Sequence, residues 1–321
     1  MTDLNHLPAY GGPGWQPRDP SLRQELGTCW SRCGLDSEWR PLKAVLLHPP
    51  GRELEAVQEN PEAYLLRKAP DPERCRAQHQ ELARAYQEEG VRVYQVDPPS
   101  LPPPNQMFVA DLMVMTPEGA ILGRPASGVR AGEERWVFRA LGELGIPVLR
   151  SVRGQGTFEG ADLMWIGPKA ALLARGLRTN AEGAAQVRAT LEELSVEVVE
   201  THLPPGTMHL MGQLRIVDEG LAVAWPGRFP AEAEDALERR GLRVVHPPDD
   251  ALREALESFG LNFVVLGPRH ILMPAGNPRS QAFYEELGVR CRSVEVGEIG
   301  KAAGSIGCLT GILEREVHDR D

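Results

Sequence analysis

The stretch TFEGADLMWIGPKAALLARG, Thr157 to Gly176, decides the fold. Two apolar runs, Phe158–Ile166 and Ala171–Arg175, flank a Gly167-Pro168 turn, so the pair reads as a strand, a tight turn and a second strand. Helical spacing follows over Ala181–Leu194, and Val196–Thr201 reads as a third strand. One unit is therefore strand, strand, helix, strand.

The same unit recurs on both sides. Upstream, Met107–Met115, the Thr116–Gly119 turn and Ala120–Gly123 precede a helix from about Ala131 to Leu144 and a strand at Pro147–Ser151. Downstream, His209–Val217 and Gly220–Ala224 precede a helix over Ala231–Arg240 and a strand at Leu242–Val245. A fourth pass gives Asn262–Leu266, Gly267-Pro268, His270–Met273, a helix over Arg279–Leu287 and a strand at Arg290–Val294. The outer segments can combine as a fifth unit: a strand at Leu42–His48, a helix over Pro72–Glu89 that stops at Gly90, a strand at Val91–Val96, and a lone strand at Cys308–Glu314. Supersecondary units repeating at this period imply a stacked or ring-like α/β array. No glycine-rich phosphate loop follows any of these strands, which removes a dinucleotide fold.

Residues 1–40 are rich in Pro, Gly and charge and are expected to form an irregular arm packed on the body, with Trp15, Trp30 and Trp39 as its anchors. Residues 41–321 are expected to form one domain.

Polar groups interrupt the apolar strands at matching places. Asp111 lies inside MFVADLMVM, Glu159 and Asp162 begin FEGADLMWI, His209 begins HLMGQLRIV, and Cys308 begins the last strand. If the units surround an axis, these positions converge at one end. A carboxylate buried among Met, Phe and Val needs a cationic partner. For Asp111 that partner is either a cationic substrate or an arginine elsewhere, such as Arg124 or Arg215. The thiol sits in GSIGCLTG (Gly304–Gly311), where glycines allow sharp turns and close approach by another group. Such a place suits a nucleophile, although a free cysteine is also a good small buried hydrophobe.

Composition narrows the function. Charged residues are 25% and hydrophobic ones 42%, as in ordinary globular chains. A net charge of −10 with no basic block argues against nucleic acid and is compatible with a small cationic substrate. No run of 18 apolar residues predicts a membrane span, and nothing near Met1–Pro20 resembles a signal peptide. The five cysteines are odd in number and scattered, and no Cys/His pairs complete a zinc site. They are expected to be reduced thiols in a cytoplasmic protein. No cofactor and no metal is expected.

Four motifs in order, PNQMFVAD (104–111), TFEGAD (157–162), TMHLMG (207–212) and GSIGCLTG (304–311), resemble the guanidine-modifying superfamily. Its members include arginine deiminase, dimethylarginine dimethylaminohydrolase and the arginine amidinotransferases. The resemblance covers about residues 40–315. It implies a pentein fold, a five-bladed α/β propeller of ββαβ units with pseudo-fivefold symmetry. It also implies a cysteine-dependent hydrolase that attacks the guanidino carbon of arginine or a derivative through a covalent amidino-thioether. Its products would be a ureido compound and ammonia or an alkylamine. An amidinotransferase is the alternative, and a non-catalytic pentein binding protein a third reading. By the same resemblance Cys308 is the nucleophile and His209 the general acid and base. Glu159 orients His209 and contacts the guanidinium, and Asp111 grips the guanidinium. Arg130 and Arg178 resemble arginines that bind the substrate's carboxylate. Asn105 and Asp162 complete the substrate-binding set, Asp162 through the EGxD motif in a structural role. The chain departs from the pattern at Met211, where deiminases and amidinotransferases have an acid and dimethylarginine hydrolases a lysine. It departs also at Ala110, and Asn105 follows the deiminase form of its motif. A homo-oligomer is compatible with the sequence.

Overall fold

The computed structural model describes residues 3–318. Five separate three-stranded sheets share one internal pattern, in which the first strand runs antiparallel to the second and the second runs parallel to the third. Strands are numbered in chain order. One sheet joins β3 (Met113–Met115), β4 (Ala120–Leu122) and β5 (Val148–Ser151). The next joins β6 (Leu163–Gly167), β7 (Ala170–Arg175) and β8 (Glu197–His202). A third joins β9 (Leu214–Asp218), β10 (Leu221–Ala224) and β11 (Arg243–Val245), and a fourth β12 (Val264–Gly267), β13 (His270–Pro274) and β14 (Arg290–Val294). The chain ends build the fifth. β1 (Leu42–Leu47) pairs antiparallel with β15 (Gly311–Arg315), Val45 opposite Ile312, and parallel with β2 (Arg92–Gln95), Val45 opposite Val93.

A parallel pair needs a crossover, and a helix supplies it in every sheet. Pro72–Glu88 shows why. Asp71 caps it by accepting from the N–H groups of Glu73 and Arg74, Pro72 fits the first helical position, and Gly90 ends the segment at φ 76°. Cys75, His79, Leu82 and Tyr86 are three or four residues apart and share its buried face. Asn180 caps Ala181–Glu193 in the same way through Gly183 N–H.

The innermost strands lean on one another in succession. β15 contacts β3, β3 contacts the turn before β6, β6 contacts the turn before β9, β9 contacts β12, and β12 contacts β1, the partner of β15. The succession closes on itself, which sets the starts of the first strands side by side.

Those starts are not strand. Met107–Met115, Phe158–Ile166, His209–Val217 and Cys308–Glu314 each open on a single helical turn before a shorter strand. The turns are Val109–Leu112, Gly160–Asp162, Leu210–Gly212 and Ile306–Leu309. Most of each segment is buried and most of its residues are apolar, so no period separates a turn from a strand. A helix at Asp249–Ser258, outside the repeating unit, was not anticipated. It ends at Phe259, held at φ 63°.

At the N-terminal side Leu26, Cys33, Leu35 and Trp39 are buried, and Gly34 joins β15 by donating to Leu313 O and accepting from Arg315 N–H. Of the three expected tryptophan anchors only Trp39 is buried. Trp15 is 59% exposed, as the arm before Leu26 buries little, and Trp30 is 36% exposed. Among the described residues no helix is long and apolar enough to cross a membrane.

Candidate active site

The helical turns deliver their polar residues to one small cavity of about 30 Å³. Asn105, Asp111, Arg130, Arg178, His209 and Cys308 all line it. Glu159 and Asp162 lie behind this wall, fully buried. Cys308 is the third residue of its turn and is half-buried. The glycines around it act by close approach. A Cβ on Gly304 would collide with the Phe108 ring, and one on Gly307 with the Arg215 guanidinium.

His209 is fixed from behind. Its Nε2 is 2.7 Å from Glu159 Oε2, while Nδ1 lies 3.8 Å from Asp111 Oδ1. Burial alone would lower its pKa, but Asp111 and Glu159 outweigh burial and hold it near 9, so the imidazole is protonated at neutral pH. Burial would raise the Glu159 pKa, yet the His209 contact keeps this carboxylate well below its usual range. Asp162 accepts from the Thr179 hydroxyl at 2.7 Å and from Leu210 N–H at 3.0 Å, which clamps the turn that carries His209. Burial pushes its pKa up to about 6. It does not line the cavity, so it acts as a brace and not as a substrate contact.

Arg130 departs most from expectation. It is 3% exposed and makes four hydrogen bonds to acids. Nε and Nη2 donate to Glu133 Oε2 at 3.0 and 2.8 Å, and Nη1 donates to Asp111 Oδ2 at 2.7 Å and to Glu159 Oε2 at 3.3 Å. These bonds hold Arg130 against the acids while it still lines the cavity. It is also the partner that Asp111 required, in place of Arg124 or Arg215. Those two donate to the carbonyls of Gly156 and Leu261. Arg178 turns Nη1 onto both Glu159 oxygens, at 3.1 and 3.2 Å. Ala126 N–H also donates to Glu159, which leaves this carboxylate saturated and able to orient His209 but not to grip a ligand. Asp111 Oδ1 has no hydrogen-bond partner among the described residues and stands as the free acceptor of the cavity. Asn105 lines the wall with its amide donated to Tyr64 O.

Ligand atoms of Asp111, Glu159 and His209 come within 4.8 Å of one another, close enough to surround a metal ion. Arg130 and Arg178 already place two guanidinium charges against these acids, which disfavours a further metal cation there.

Sequence reasoning missed Asn262 and Arg215. Asn262 donates through Nδ2 to Cys308 Sγ at 3.1 Å and accepts from Cys308 N–H at 3.2 Å. It stands just before β12, the place in the fourth unit that Asp111, Glu159 and His209 hold in theirs. Extending that equivalence to the fourth unit would have found it. Arg215 is buried, packs against Gly307 and leaves Nη2 without a partner among the described residues. Burial and Asp111 push the Cys308 thiol above its usual pKa, and Asn262 and Arg215 act in the opposite direction.

A thiol, a protonated imidazole and a carboxylate with a free oxygen share one wall, the set that the four motifs led one to expect of a guanidine-modifying enzyme. Residues 64–267 match the family described as N,N dimethylarginine dimethylhydrolase, eukaryotic, and the chain belongs to this dimethylarginine dimethylaminohydrolase family. It is 31% identical over 216 residues to the N(G),N(G)-dimethylarginine dimethylaminohydrolase of Streptomyces coelicolor, covering 67% of this chain and 77% of that one. It is 29% identical over 247 residues to the enzyme of the same name from Pseudomonas aeruginosa, covering 75% and 89%. The structure of a mutant Pseudomonas aeruginosa DDAH complexed with citrulline superposes with a TM-score of 0.71 at 24% identity, over 86% of this chain and all of that one.

Proposed function

We propose that this chain is a cysteine-dependent hydrolase acting on the guanidino carbon of arginine or an arginine derivative. One observation carries the reading: Cys308 and protonated His209 share a cavity wall with Asp111, whose Oδ1 is free to accept a guanidinium N–H. The two curated relatives are named for dimethylarginine, which supports a substrate of that class. The self-closing succession of five like sheets supports a five-bladed propeller with pseudo-fivefold symmetry, its body formed by the described residues from 41 onward, residues 319–321 of the expected domain lying outside the described residues. Cys29, Cys75, Cys291 and Cys308, which form no disulfide, fit a reducing cytoplasm.

In this reading Asp111 holds the guanidinium by charge-assisted hydrogen bonds. The bound cation offsets the Asp111 charge that opposes thiolate formation, so Cys308 loses its proton to solvent. The thiolate forms a C–S bond, and His209 protonates the departing nitrogen, which leaves as ammonia or an alkylamine with its C–N electron pair. The remaining species is an amidino-thioether on Cys308, with His209 now neutral. His209 then takes a proton from water as its oxygen bonds to the same carbon. The C–S bond breaks, the thiolate is restored, and a ureido product leaves. One further proton passes to solvent, where the released amine takes it up. Arg130 and Arg178 hold the acids in place throughout.

Cys308→Ala is expected to abolish formation of ureido product from arginine or methylated arginines while the variant still binds them. Full turnover by this variant would remove the proposal. The same assay with glycine added separates hydrolysis from amidino transfer, since an amine in place of water gives a new guanidino compound.

A further inference from the structure

The backbone one residue before the thiol is closely enclosed. A Cβ on Gly307 would collide with Arg215 Nη2 and would stand 2.9 Å from Asn262 Oδ1 and 3.2 Å from Met211 Sδ. A glycine there lets all three groups come up to the turn that carries Cys308. Asn262 is spent on the thiol and on Cys308 N–H. Met211, where the chain departs from the four motifs, offers no charge. Arg215 brings a guanidinium that the reaction as described does not use.

Arg215 is 6% exposed and is not part of the cavity wall that holds Arg130 and Arg178, so a substrate in that cavity does not reach it. Arg130 and Arg178 are neutralised by Asp111, Glu133 and Glu159. No such ion pair forms at Arg215 among the described residues. Its Nε donates to Leu261 O at 3.0 Å, its guanidinium carbon lies 5.6 Å from the centre of the Phe263 ring, and Nη2 has no partner among the described residues. A buried cation without a counter-ion is costly. Burial draws its pKa down, and Cys308 is foremost among the charges that draw it back, ahead of Glu38. The one segment His209–Arg215 thus carries two cations to the sulfur. His209 faces the cavity, and Arg215, the second residue of β9, stands outside it against Gly307.

Resting on the reading of Cys308 as the nucleophile, we propose that Arg215 is the fixed counter-charge of the Cys308 thiolate, a positioning residue that acts on the sulfur from outside the substrate cavity. The charges facing the sulfur from the cavity are Asp111, His209, Arg130 and Arg178. Those facing Arg215 are Cys308 and Glu38, with the Tyr284 and Tyr86 hydroxyls. Arg215 favours the ionised sulfur before any substrate arrives, and a guanidinium at Asp111 adds to the same effect. A purely structural role is the competing account. Arg215 would then only pin the Leu261 carbonyl and so hold Asn262, the next residue, against Cys308.

The test reads the pH midpoint of Cys308 alkylation by iodoacetamide in the full chain with Cys29 and Cys291 changed to Ser. Arg215→Met should raise the midpoint by about one pKa unit or more. Arg215→Lys should return most of the shift, because it keeps the charge. Arg215→Gln, which keeps an N–H and loses the charge, should stay with Arg215→Met. In an Asn262→Ala background Arg215→Met should raise the midpoint again, whereas an effect passed through Asn262 would vanish there. Thermal denaturation checks that each variant folds, and if Arg215→Met does not, Arg215→Gln against Arg215→Lys carries the same comparison. With arginine or a methylated arginine as substrate, kcat/KM at pH 7 should fall about tenfold for each unit of the shift. Binding of L-arginine to the Cys308→Ala chain should not weaken when Arg215→Met is added. The proposal is overturned if the folded uncharged variants leave the midpoint unchanged or lower, if Arg215→Gln restores it as well as Arg215→Lys, if the shift disappears with Asn262→Ala, or if L-arginine binding is what is lost. Failure of the hydrolase reading looks different, since iodoacetamide reports on the thiol without turnover. A chain that shows the expected order of midpoints but forms no ureido product keeps the counter-charge and loses the reaction. Ureido product from a chain whose midpoints are all equal does the reverse.

Discussion

Removing the Asn262 amide should raise the pKa of the Cys308 thiol. Asn262 Nδ2 is 3.1 Å from Sγ, and that N–H strengthens its bond when the sulfur becomes charged. A hydrogen bond to a charged group contributes about 1.5–3 kcal/mol, and one pKa unit corresponds to about 1.4 kcal/mol. Asn262→Ala should therefore lift the thiol by about one to two units. Asn262→Asp should lift it further, because it retains an acceptor for Cys308 N–H and replaces the donor with a second anion beside Asp111. The assay is the pH dependence of Cys308 alkylation by iodoacetamide. Cys29, exposed, and Cys291, half-buried, are first changed to Ser, while Cys33 and Cys75 are buried. The expected order of midpoints is the parent lowest, then Asn262→Ala, then Asn262→Asp. A folded Asn262→Ala protein with a midpoint unchanged or lower would refute the argument, since no other role of Asn262 predicts an upward shift of the thiol alone.

Two further outcomes follow from the charges. Turnover needs His209 protonated and Cys308 ionised, and with His209 near 9 and the thiol held above its usual value the reactive pair is a minority form, so kcat/KM should rise steeply toward about pH 9 and fall once the thiol's own pKa is passed; a profile with no alkaline fall would remove the acid role. The same raised His209 pKa adds stability that is complete below its unfolded value of about 6.5 and is lost as the pH rises through about 9. Arg130→Met would leave Asp111, Glu133 and Glu159 without their shared cation, at a cost of about 3–5 kcal/mol, measured by thermal denaturation. Burial holds Glu133 near 7 even beside Arg130, so the loss should be larger at pH 8 than at pH 6, and equal losses would count against the pairing.

The repeating unit was legible because strands and crossover helices differ in period, and the paired β1 and β15 could be expected once four units left two loose ends. The chemistry-bearing turns were not legible as turns. MFVADLMVM is buried on all sides, and burial removes the alternation that would mark a strand and the three-to-four spacing that would mark a helix. Cys308, His209, Glu159 and Asp111 were legible as a set because each interrupts an apolar run with a group that is costly to bury. Asn262 carries no charge and did not stand out. For Arg130 the place in the motif was clear, but its ion pairs were not, because nothing in RPASGVRAGEE reveals that Glu133, three residues on, and Asp111 and Glu159, far away in the chain, would pair with its guanidinium.

The charges around the thiol explain why it waits for substrate. With Glu133 and Asp162 ionised, four acids (Asp111, Glu133, Glu159, Asp162) face four cations (Arg130, Arg178, His209, Arg215), so the empty site is close to neutral with Cys308 as a thiol. Ionising Cys308 then adds an unbalanced negative charge 3.1 Å from the Asn262 amide but within the field of Asp111, and that field resists it. A guanidinium entering at Asp111 Oδ1 adds one positive charge, and release of the thiol proton cancels it. Cation binding and thiolate formation are in this way one linked event. Neutral ureas of the same shape leave the balance where it was, so they gain no thiolate, and as the ureido product leaves, uptake of a proton by the Cys308 thiolate returns the site to its resting charge.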